Sequence, residues 1–496
     1  MAPSSTAVSA DLKTFSAFID GKPTTSTGTH VDTQINPATG EPCALIAYSS
    51  KQDVDAAVES ARKAFAGWSK TPVLQRSRIM FHFRELVERE SQALIALITE
   101  EHGKTLDEAQ ASFQRGLEAI EFACGAPSLM MGEGVESVGT SADSWTIRKP
   151  IGVCVGITPF NFPFMVPLWM FPISIACGNT FVLKPSEKVP RASLRLAELM
   201  SEAGLPKGVL NVVIGGKEVV DQLLAHPNTV AASFVGSSHV AKYIYTTAAA
   251  HGKRVQALGG AKNHSIVMSD ADLKSSIDSV IASSYGCAGE RCVATSMVVT
   301  VGEIGDSFVA GLKQAADALN VGNGTEKGIT MGPLISSEHR KKVLSYIEAG
   351  EKEGATLVRD GRKGAPGSEN NASGGNFLGP TLFDNVKPDM KIAREEIFGP
   401  VLSVVRTKTL AEALEVVNRS EYGNAASIYT RSGSAAREFT ENVQAGMLGI
   451  NIGVPAPVAI FPFSGWKGSF YGDLHALGKD AVRFYTETKV VTQRWS

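Results

Sequence analysis

Hydrophobic and polar residues follow three different spacings along this chain of 496 residues. Near the N-terminus, turn dipeptides at 18–22 and 35–41 separate short extended runs, which predicts a small antiparallel hairpin region. Between Asp53 and Phe122, apolar residues recur every three or four positions with charged residues on the opposite face. This spacing predicts a series of long amphipathic helices.

Beyond residue 150, the spacing changes to short apolar runs joined by segments of helical periodicity. The runs occupy 152–157, 180–183, 208–214 and 230–235 in a first series, and 265–268, 298–301 and 401–405 in a second. Buried parallel strands have this pattern. It predicts an α/β fold with a doubly wound, Rossmann-type lobe, whose ligand would lie at the carboxyl ends of the strands, followed by a second α/β lobe.

Composition excludes several classes of protein. Hydrophobic residues make up 43% and charged residues 20%, as in globular proteins, and a net charge of −2 gives no electrostatic basis for a nucleic-acid partner. Three prolines interrupt the longest apolar stretch, 160–176, so we expect no membrane span. Six scattered cysteines, without Cys-x-x-Cys or His-x-x-x-His spacing, predict reduced thiols and no metal site.

The N-terminal segment bears on location. It has neither the apolar core of a secretory signal nor the arginines of a mitochondrial presequence. We therefore expect a cytoplasmic protein, or a mitochondrial matrix protein if the source is eukaryotic and the chain is already processed.

Two segments that follow predicted strands are suited to a dinucleotide. Ser237 opens a helix whose free N–H groups could hold a pyrophosphate, with an ordinary helix cap as the alternative. Lys184 and Glu187 could both reach an adenosine ribose, with a solvated ion pair as the alternative. A carboxylate repels a 2′-phosphate, so Glu187 favours NAD over NADP. The sequence lacks the G-x-G-x-x-G fingerprint of an ordinary Rossmann dehydrogenase.

Cys292 is the candidate nucleophile. It stands beside Arg291 in the turn GCAGERCVA at 286–294, just before a predicted strand. A nearby guanidinium or helix start would lower the pKa of the thiol and activate it. Most cysteines are small buried residues without chemistry, and this interpretation is preferred for the other five.

Cys292 completes a set of six motifs that occur in the order found in aldehyde dehydrogenases. The other five are TPFNFP at 158–163, KPSE at 184–187, FVGS at 234–237, LGGAKN at 258–263 and EIFGP at 396–400. The sequence thus resembles the aldehyde dehydrogenase superfamily over nearly its whole length. The resemblance implies an NAD-binding domain at 1–126 and 150–259 and a catalytic domain at 260–455. It also implies a small β oligomerisation arm with a C-terminal tail, at 127–149 and 456–496.

The resemblance also assigns roles to residues at matching positions. Cys292 would be the nucleophile and Asn161 an oxyanion donor, which fits the need for amide N–H groups when a thiolate adds to an aldehyde. Residues that would contact NAD are Thr158, Phe160, Lys184, Glu187, Lys188, Ser237, Gly259, Glu396 and Phe398. Hydride transfer would leave a thioacyl enzyme on Cys292.

The sequence departs from the hydrolytic aldehyde dehydrogenases at the position of their general base. Those enzymes carry glutamate in a Glu-Leu-Gly-Gly-Lys motif, whereas the aligned residue here is Leu258, or Ala257 with a different gap. Neither side chain can accept a proton. The thioester would therefore persist until a better nucleophile arrives, and the thiol of coenzyme A is suited to that step.

This departure is similar to the methylmalonate-semialdehyde dehydrogenase family, as are the C-terminal segments PFSGWKGSFYGD at 462–473 and FYTETK at 484–489. Membership implies NAD-dependent oxidation and decarboxylation of methylmalonate or malonate semialdehyde, with coenzyme A as co-substrate and propionyl-CoA or acetyl-CoA as product. Arg115 and Arg291 would bind the substrate carboxylate, because a guanidinium meets a carboxylate with two hydrogen bonds. The alternative for Arg115 is an ion pair on a helix surface.

Two other interpretations remain open at this point. A hydrolytic semialdehyde dehydrogenase could use Glu290 or Glu396 to activate water and release a free acid. A non-catalytic protein could share the fold, although the presence of both Cys292 and Asn161 argues against it. The resemblance further implies a homodimer or homotetramer.

Overall fold

The computed structural model describes residues 12–363, 365–366 and 374–495. Most of the N-terminal segment on which the prediction of location rests lies outside these residues. Over the described ranges, no helix is both long enough and apolar enough to cross a membrane.

The helices confirm the amphipathic pattern of the first quarter of the chain. They are α1 (Lys51–Trp68), α2 (Val73–Arg89), α3 (Ser91–His102), α4 (Leu106–Cys124), α5 (Ala126–Leu129), α6 (Met165–Ala176), α7 (Arg191–Glu202), α8 (Lys217–Ala225), α9 (Ser238–Ala250), α10 (Leu273–Tyr285), α11 (Gly305–Asp317), α12 (Ser337–Lys352), α13 (Lys391–Arg394), α14 (Leu410–Asn418), α15 (Gly433–Asn442) and α16 (Gly478–Phe484). The first four cover the predicted helical region and extend slightly past both of its ends.

The strands are short. They are β1 (Thr14–Phe15), β2 (Phe18–Ile19), β3 (Lys22–Pro23), β4 (Val31–Ile35), β5 (Pro42–Ala47), β6 (Gly134–Gly139), β7 (Ala142–Pro150), β8 (Val153–Ile157), β9 (Thr180–Lys184), β10 (Leu210–Val212), β11 (Thr229–Val235), β12 (Arg254–Leu258), β13 (Asn263–Val267), β14 (Thr295–Val301), β15 (Thr356–Arg359), β16 (Thr381–Asp384), β17 (Val401–Thr407), β18 (Tyr422–Gly423), β19 (Ala425–Tyr429), β20 (Met447–Ile450), β21 (Trp466–Lys467), β22 (Phe470–Gly472) and β23 (Thr486–Arg494). The antiparallel pairs β2–β3 and β4–β5 form the predicted N-terminal hairpins.

The first large sheet has the strand order β22-β12-β11-β8-β9-β10-β2-β3. Its five central strands, β12 to β10, run parallel, and the outer strands are antiparallel additions. Every residue of β8 and β9 is buried, as expected for strands covered on both faces. The chain order reverses between β8 and β11, so the doubly wound lobe is confirmed, with its switch point at these two strands.

The second large sheet has the order β15-β16-β17-β14-β13-β19-β20. All of its strands run parallel except the edge strand β15. A separate apolar core packs around this sheet, including the fully buried side chains of Val298, Phe308 and Phe383. The predicted second α/β lobe is therefore confirmed.

A third, smaller sheet is formed by strands from the predicted arm and from the C-terminal tail. β7 pairs along its whole length with β23, and β6 pairs with the other edge of β7. The tail does more than join this sheet, because β22 within 456–496 pairs with β12 at the edge of the first large sheet. The domain boundaries given above stay a prediction.

Candidate active site

A cavity of about 190 Å³ opens at the carboxyl ends of β8, β11 and β12, on the switch point of the first sheet. We term it the sheet-end cavity. Its lining residues are Pro159, Phe160, Asn161, Val235, Gly236, Ser237, Gly259, Gly260, Cys292, His339, Lys342, Glu396 and Phe398. Ligands of doubly wound sheets bind at such a place.

A second cavity, of about 420 Å³, lies between α4, α6 and the loop that precedes α16. We term it the arginine cavity, because Arg115 and Arg291 supply its only basic groups. The other lining residues are Asp107, Glu108, Ala111, Ser112, Glu118, Phe162, Met165, Trp169, Cys287, Cys292, Val293, Val454, Ala456, Pro457, Ala459, Phe463 and Leu477. Most of the wall is apolar.

Cys292 lines both cavities. Its backbone carbonyl accepts hydrogen bonds from the side-chain amides of Asn263 and Asn424, each at 2.8 Å. These two bonds fix the main chain that carries the thiol. A molecule in the arginine cavity and a molecule in the sheet-end cavity can thus approach the same sulfur from two directions.

The predicted activation of this thiol by its neighbours is wrong for the free protein. Burial raises the pKa of Cys292 to about 12, the Glu396 carboxylate adds to the rise, and the Arg291 guanidinium lowers it by less. The Arg291 side chain donates instead to the carbonyls of Ala282 and Ser283. Its charge is therefore partly used at the end of α10, where Gly286 leaves it room by having no Cβ.

Arg115 lies on α4 and lines the arginine cavity, as the prediction of a substrate role requires. Its Nη1 also donates to the Glu118 carboxylate at 3.0 Å, one helical turn away. Both interpretations of Arg115 are thus compatible with its position, because the ion pair itself forms part of the cavity wall.

Asn161 is buried at the edge of the sheet-end cavity. Its Nδ2 donates to the backbone carbonyl of Glu290 at 3.0 Å, and its own backbone carbonyl accepts a hydrogen bond from the Lys104 ammonium at 2.7 Å. One N–H of the side-chain amide is therefore committed, and the second is available to a ligand. Sequence reasoning missed Lys104, because a lysine between two helices has no pattern that distinguishes it from a solvated one.

Glu396 is a half-buried residue that lines the sheet-end cavity. The backbone N–H of Ala261 donates to its Oε1 at 2.8 Å, and a Cβ on Gly260 would collide with its carboxylate. Burial raises the pKa of Glu396 to about 7, so the group titrates near neutrality. Gly259 is equally constrained, since a Cβ there would lie 2.8 Å from the Gly468 carbonyl oxygen.

Two aromatic rings face each other in the same cavity. The rings of Phe160 and Phe398 are arranged edge to face with 5.8 Å between their centroids, and Phe398 has a φ of 59°. The carbonyl of Phe398 lies 2.6 Å from Nε2 of His339, which donates in the tautomer protonated there. His339, which sequence reasoning also missed, thus holds a backbone conformation that a phenylalanine rarely adopts.

The remaining predicted contacts lie at the neighbouring strand ends. The backbone N–H of Thr158 donates to the carbonyl of Lys184 at 3.1 Å, which ties the ends of β8 and β9 together. Lys184 Nζ lies 3.0 Å from a Glu187 oxygen, and Lys188 Nζ lies 5.8 Å above the Phe160 ring. Ser237 caps α9 without a side-chain hydrogen bond of its own.

The residues at the base position and the alternative carboxylates lie in different surroundings. Leu258 and Ala257, at the position of the missing glutamate, are buried in β12. The Glu290 carboxyl is fully buried near His102 and His339 and accepts from the Ile335 N–H at 3.2 Å, and burial raises its pKa well above the usual range. Of the carboxyls considered as bases, Glu396 is therefore the one in a cavity with Cys292.

Within the described part of the chain, no three His, Cys, Asp or Glu side chains are grouped to hold a metal ion.

Comparison with known proteins decides the family. A model of the aldehyde dehydrogenase family matches residues 24–491. The chain belongs to the aldehyde dehydrogenase family. Among relatives in this family, malonate-semialdehyde dehydrogenase 2 of Geobacillus kaustophilus (strain HTA426) is 55% identical over 98% of this chain and 99% of its own length.

Solved aldehyde dehydrogenases agree with the fold. Methylmalonate-semialdehyde dehydrogenase from Oceanimonas doudoroffii is 50% identical and superimposes with a TM-score of 0.95 over 98% of this chain and 99% of its own. A Sinorhizobium meliloti 1021 protein assigned as a methylmalonate-semialdehyde dehydrogenase, solved with NAD, is 46% identical, with a TM-score of 0.96 over 98% of this chain and 99% of its own.

Proposed function

We propose that this aldehyde dehydrogenase oxidises malonate semialdehyde and methylmalonate semialdehyde with NAD and transfers the decarboxylated acyl group to coenzyme A. The observation that carries the proposal is the position of Cys292, which lines both the sheet-end cavity and the arginine cavity. The names of similar relatives support the substrate class.

The sheet-end cavity suits the nicotinamide half of NAD. It lies at a switch point, Lys184 and Glu187 at the end of the neighbouring strand β9 are available to an adenosine ribose, and the similar Sinorhizobium meliloti protein was solved with NAD. Glu396 would accept hydrogen bonds from the second ribose, and Phe398 would flank the nicotinamide. NAD supplies the hydride acceptor when bound.

The residues of the chain then perform the acyl chemistry. The Cys292 thiol gives up its proton to water as its sulfur adds to the aldehyde carbon, and the free N–H of the Asn161 amide stabilises the oxyanion that forms. Loss of hydride leaves a thioester on Cys292. When carbon dioxide leaves from the neighbouring carbon, the electron pair moves toward the thioester carbonyl, and Asn161 stabilises this enolate as well. The enolate carbon then takes a proton from water. The sulfur of coenzyme A adds to the thioester carbonyl, the bond to Cys292 breaks, and the Cys292 sulfur takes back a proton.

The arginine cavity fits the substrate carboxylate. A guanidinium from Arg291 or Arg115 could pair with it, and either would exchange an existing partner for the substrate. The apolar remainder of the wall, including Phe162, Trp169 and Phe463, would contact the carbon chain.

Release by coenzyme A follows from the apolar residues at the base position. Leu258 and Ala257 cannot activate water, so the thioester awaits a thiol nucleophile. A hydrolytic route is the second candidate, because Glu396 shares a cavity with Cys292 and has a pKa of about 7, suitable for a general base.

The deciding experiment is turnover of malonate semialdehyde by purified protein and NAD, with and without coenzyme A. NADH is followed by absorbance, and the products are identified by mass spectrometry. We expect turnover to depend on coenzyme A and to yield acetyl-CoA with carbon dioxide. Free acid formed equally fast without coenzyme A would support the hydrolytic route and overturn acyl transfer.

We also propose a homodimer or homotetramer assembled through the β6–β7–β23 sheet. Several large apolar side chains on or beside this sheet are exposed, among them Met131, Val135, Val490 and Trp495. Light scattering after size exclusion should give a mass of two or four chains, and Val490→Asp should lower it, whereas a monomeric wild type would overturn this assembly. A cytoplasmic location stays a prediction from the N-terminal sequence.

A further inference from the structure

We propose that Lys104 is a positioning residue that holds the Asn161 amide in place for oxyanion stabilisation. The inference rests on the proposed function, in which Asn161 is the oxyanion donor. It concerns a charged residue that does not line either cavity and that the reaction scheme does not use.

Lys104 occupies a rigid corner between two helices. Gly103, which has a φ of 91°, caps the end of α3, and Thr105 caps the start of α4 with a capping box. Two other loops press on this corner: a Cβ on Gly324 would lie 2.6 Å from the Lys104 carbonyl oxygen, and one on Gly332 would collide with the Gly103 carbonyl. The backbone that carries the lysine therefore has little freedom to move.

The Lys104 side chain is directed at the segment that carries Asn161. It is only 1% exposed, its Nζ donates to the Asn161 carbonyl at 2.7 Å, and it lies 4.0 Å from the centroid of the Phe162 ring. A buried ammonium is costly unless it is paired, so these contacts favour one position of the chain at 161–162.

Asn161 is consequently held at both ends. Lys104 fixes its backbone carbonyl, and the Glu290 carbonyl fixes its Nδ2 at 3.0 Å, which orients the remaining N–H. An oxyanion donor is useful only if its N–H already points to where the charge develops. Loss of either contact would let the amide move away from that position.

The same helix start also contacts the segment that precedes the nucleophile. Glu108, one turn into α4, accepts the Cys287 N–H at 2.5 Å with one oxygen and the Thr105 N–H at 3.0 Å with the other. The corner thus touches both the donor segment and the nucleophile segment. Their separation is set by one rigid element.

A double-mutant cycle tests the inference. The rate of NADH formation in a single turnover is measured for wild type, Lys104→Met, Asn161→Ala and the double variant. We expect Lys104→Met to slow this step by about 10- to 100-fold in wild type, as a small misplacement does, but by less than about twofold in Asn161→Ala. Residues that act through one another show this loss of additivity.

The matched control is Lys253→Met. Lys253 is also buried and also donates to backbone carbonyls, those of His226 at 2.7 Å and Thr229 at 2.6 Å, but it lies at the amino-terminal side of the first sheet. We expect this variant to retain the wild-type rate. Should Lys104→Met not fold, as judged by thermal unfolding, the same cycle is run with Lys104→Gln.

The outcomes separate this inference from the proposed function. If the wild type is active and the rate losses of the two single variants multiply in the double variant, the role of Lys104 is overturned and the proposed function stands. A wild type that forms no NADH from malonate semialdehyde would instead contradict the proposed function.

Discussion

The two cavities that share Cys292 differ in how their polar groups are held. In the sheet-end cavity, Glu396 and the main chain of Phe398 are fixed by internal partners, the Ala261 N–H and the His339 ring. In the arginine cavity, the charged groups use hydrogen bonds that a ligand would need, as Arg115 does with Glu118.

This difference indicates a division of labour. The sheet-end cavity is organised before any ligand arrives, so binding there need not break internal contacts. A carboxylate entering the arginine cavity must replace an existing partner, and its net gain is the difference between two similar interactions. Selectivity among aldehydes should therefore depend on the arginine cavity. Binding of NAD should depend on the sheet-end cavity.

The largest expected effect comes from the residue that both cavities share. Cys292→Ser should lower kcat for NADH formation by about 10⁴-fold or more, because loss of the nucleophile disables the rest of the site with it. NAD binding, followed by fluorescence quenching, should persist. Cys43→Ser is the control, as Cys43 is a partly buried thiol on β5. A Cys292→Ser variant with more than a few per cent of wild-type activity would exclude this thiol as the nucleophile.

A glutamate at the position of the missing base should change the product. Leu258→Glu should raise the release of free acid without coenzyme A by about 100-fold, the usual contribution of a positioned general base. Thioester hydrolysis is measured from the acid formed after a burst of NADH. Leu258→Gln is the control, because it places a polar side chain of similar size in β12 but supplies no base. Equal acid release by both variants would show that this position does not face the thioester.

How far the sequence predicts the molecule depends on the range of the interactions. The apolar runs at β8, β9 and β14 predict strands because burial on both faces is a local property of the residues. The carboxyl ends of parallel strands meet at one edge of a sheet, so 158–163 and 234–237, which follow two such strands, are expected near one another. Family motifs add the candidate residues at these ends.

What the sequence does not predict is decided by contacts between distant segments. Lys104 meets a carbonyl 57 positions away, and no periodicity indicates that pairing. The pKa of Cys292 was predicted to fall because Arg291 is its neighbour in sequence, but burial outweighs a guanidinium that is bonded elsewhere. The pairing of β22 with β12 likewise joins the C-terminal tail to a strand from the middle of the chain.

The arginine cavity gives the next largest effect. Arg291→Gln or Arg115→Gln should lower kcat/KM for malonate semialdehyde by about 10- to 100-fold, the range for a lost charge-assisted hydrogen bond. Propanal, which has no carboxylate, should react at an unchanged rate. Steady-state kinetics with the two aldehydes measures the ratio. Equal losses for both aldehydes would indicate that the arginine supports the fold and does not recognise the carboxylate.

A variant of Glu118 would sharpen the argument about exchange of partners. Glu118→Gln frees Arg115 from its 3.0 Å ion pair, so KM for malonate semialdehyde should fall by a few-fold while KM for propanal stays constant. Glu121→Gln is the control, because it removes a different ion pair of α4, the one between Glu121 and Arg84 of α2. A KM that rises for the carboxylate substrate would show that Glu118 orients Arg115 for its ligand.

An effect of similar size concerns the sheet-end cavity and its dependence on pH. Burial raises the pKa of Glu396 to about 7, so the group loses its charge as pH falls through neutrality, well above the range of an ordinary glutamate. Ionised, it is the stronger acceptor for ribose hydroxyls, and KM for NAD should therefore rise about two- to tenfold between pH 8 and pH 6 (roughly one hydrogen bond's worth).

Glu396→Gln provides the comparison for this titration. An amide keeps one acceptor oxygen and has no charge to lose, so the variant should show a KM for NAD that is higher at pH 8 and constant down to pH 6. KM for the aldehyde, which depends on the other cavity, should follow the same pH profile in both proteins. A wild-type KM for NAD that stays flat across this range would mean either that Glu396 does not contact the ribose or that its charge does not matter there. Glu396→Gln distinguishes the two cases, because the substitution changes KM for NAD at pH 8 only if Glu396 contacts the ribose.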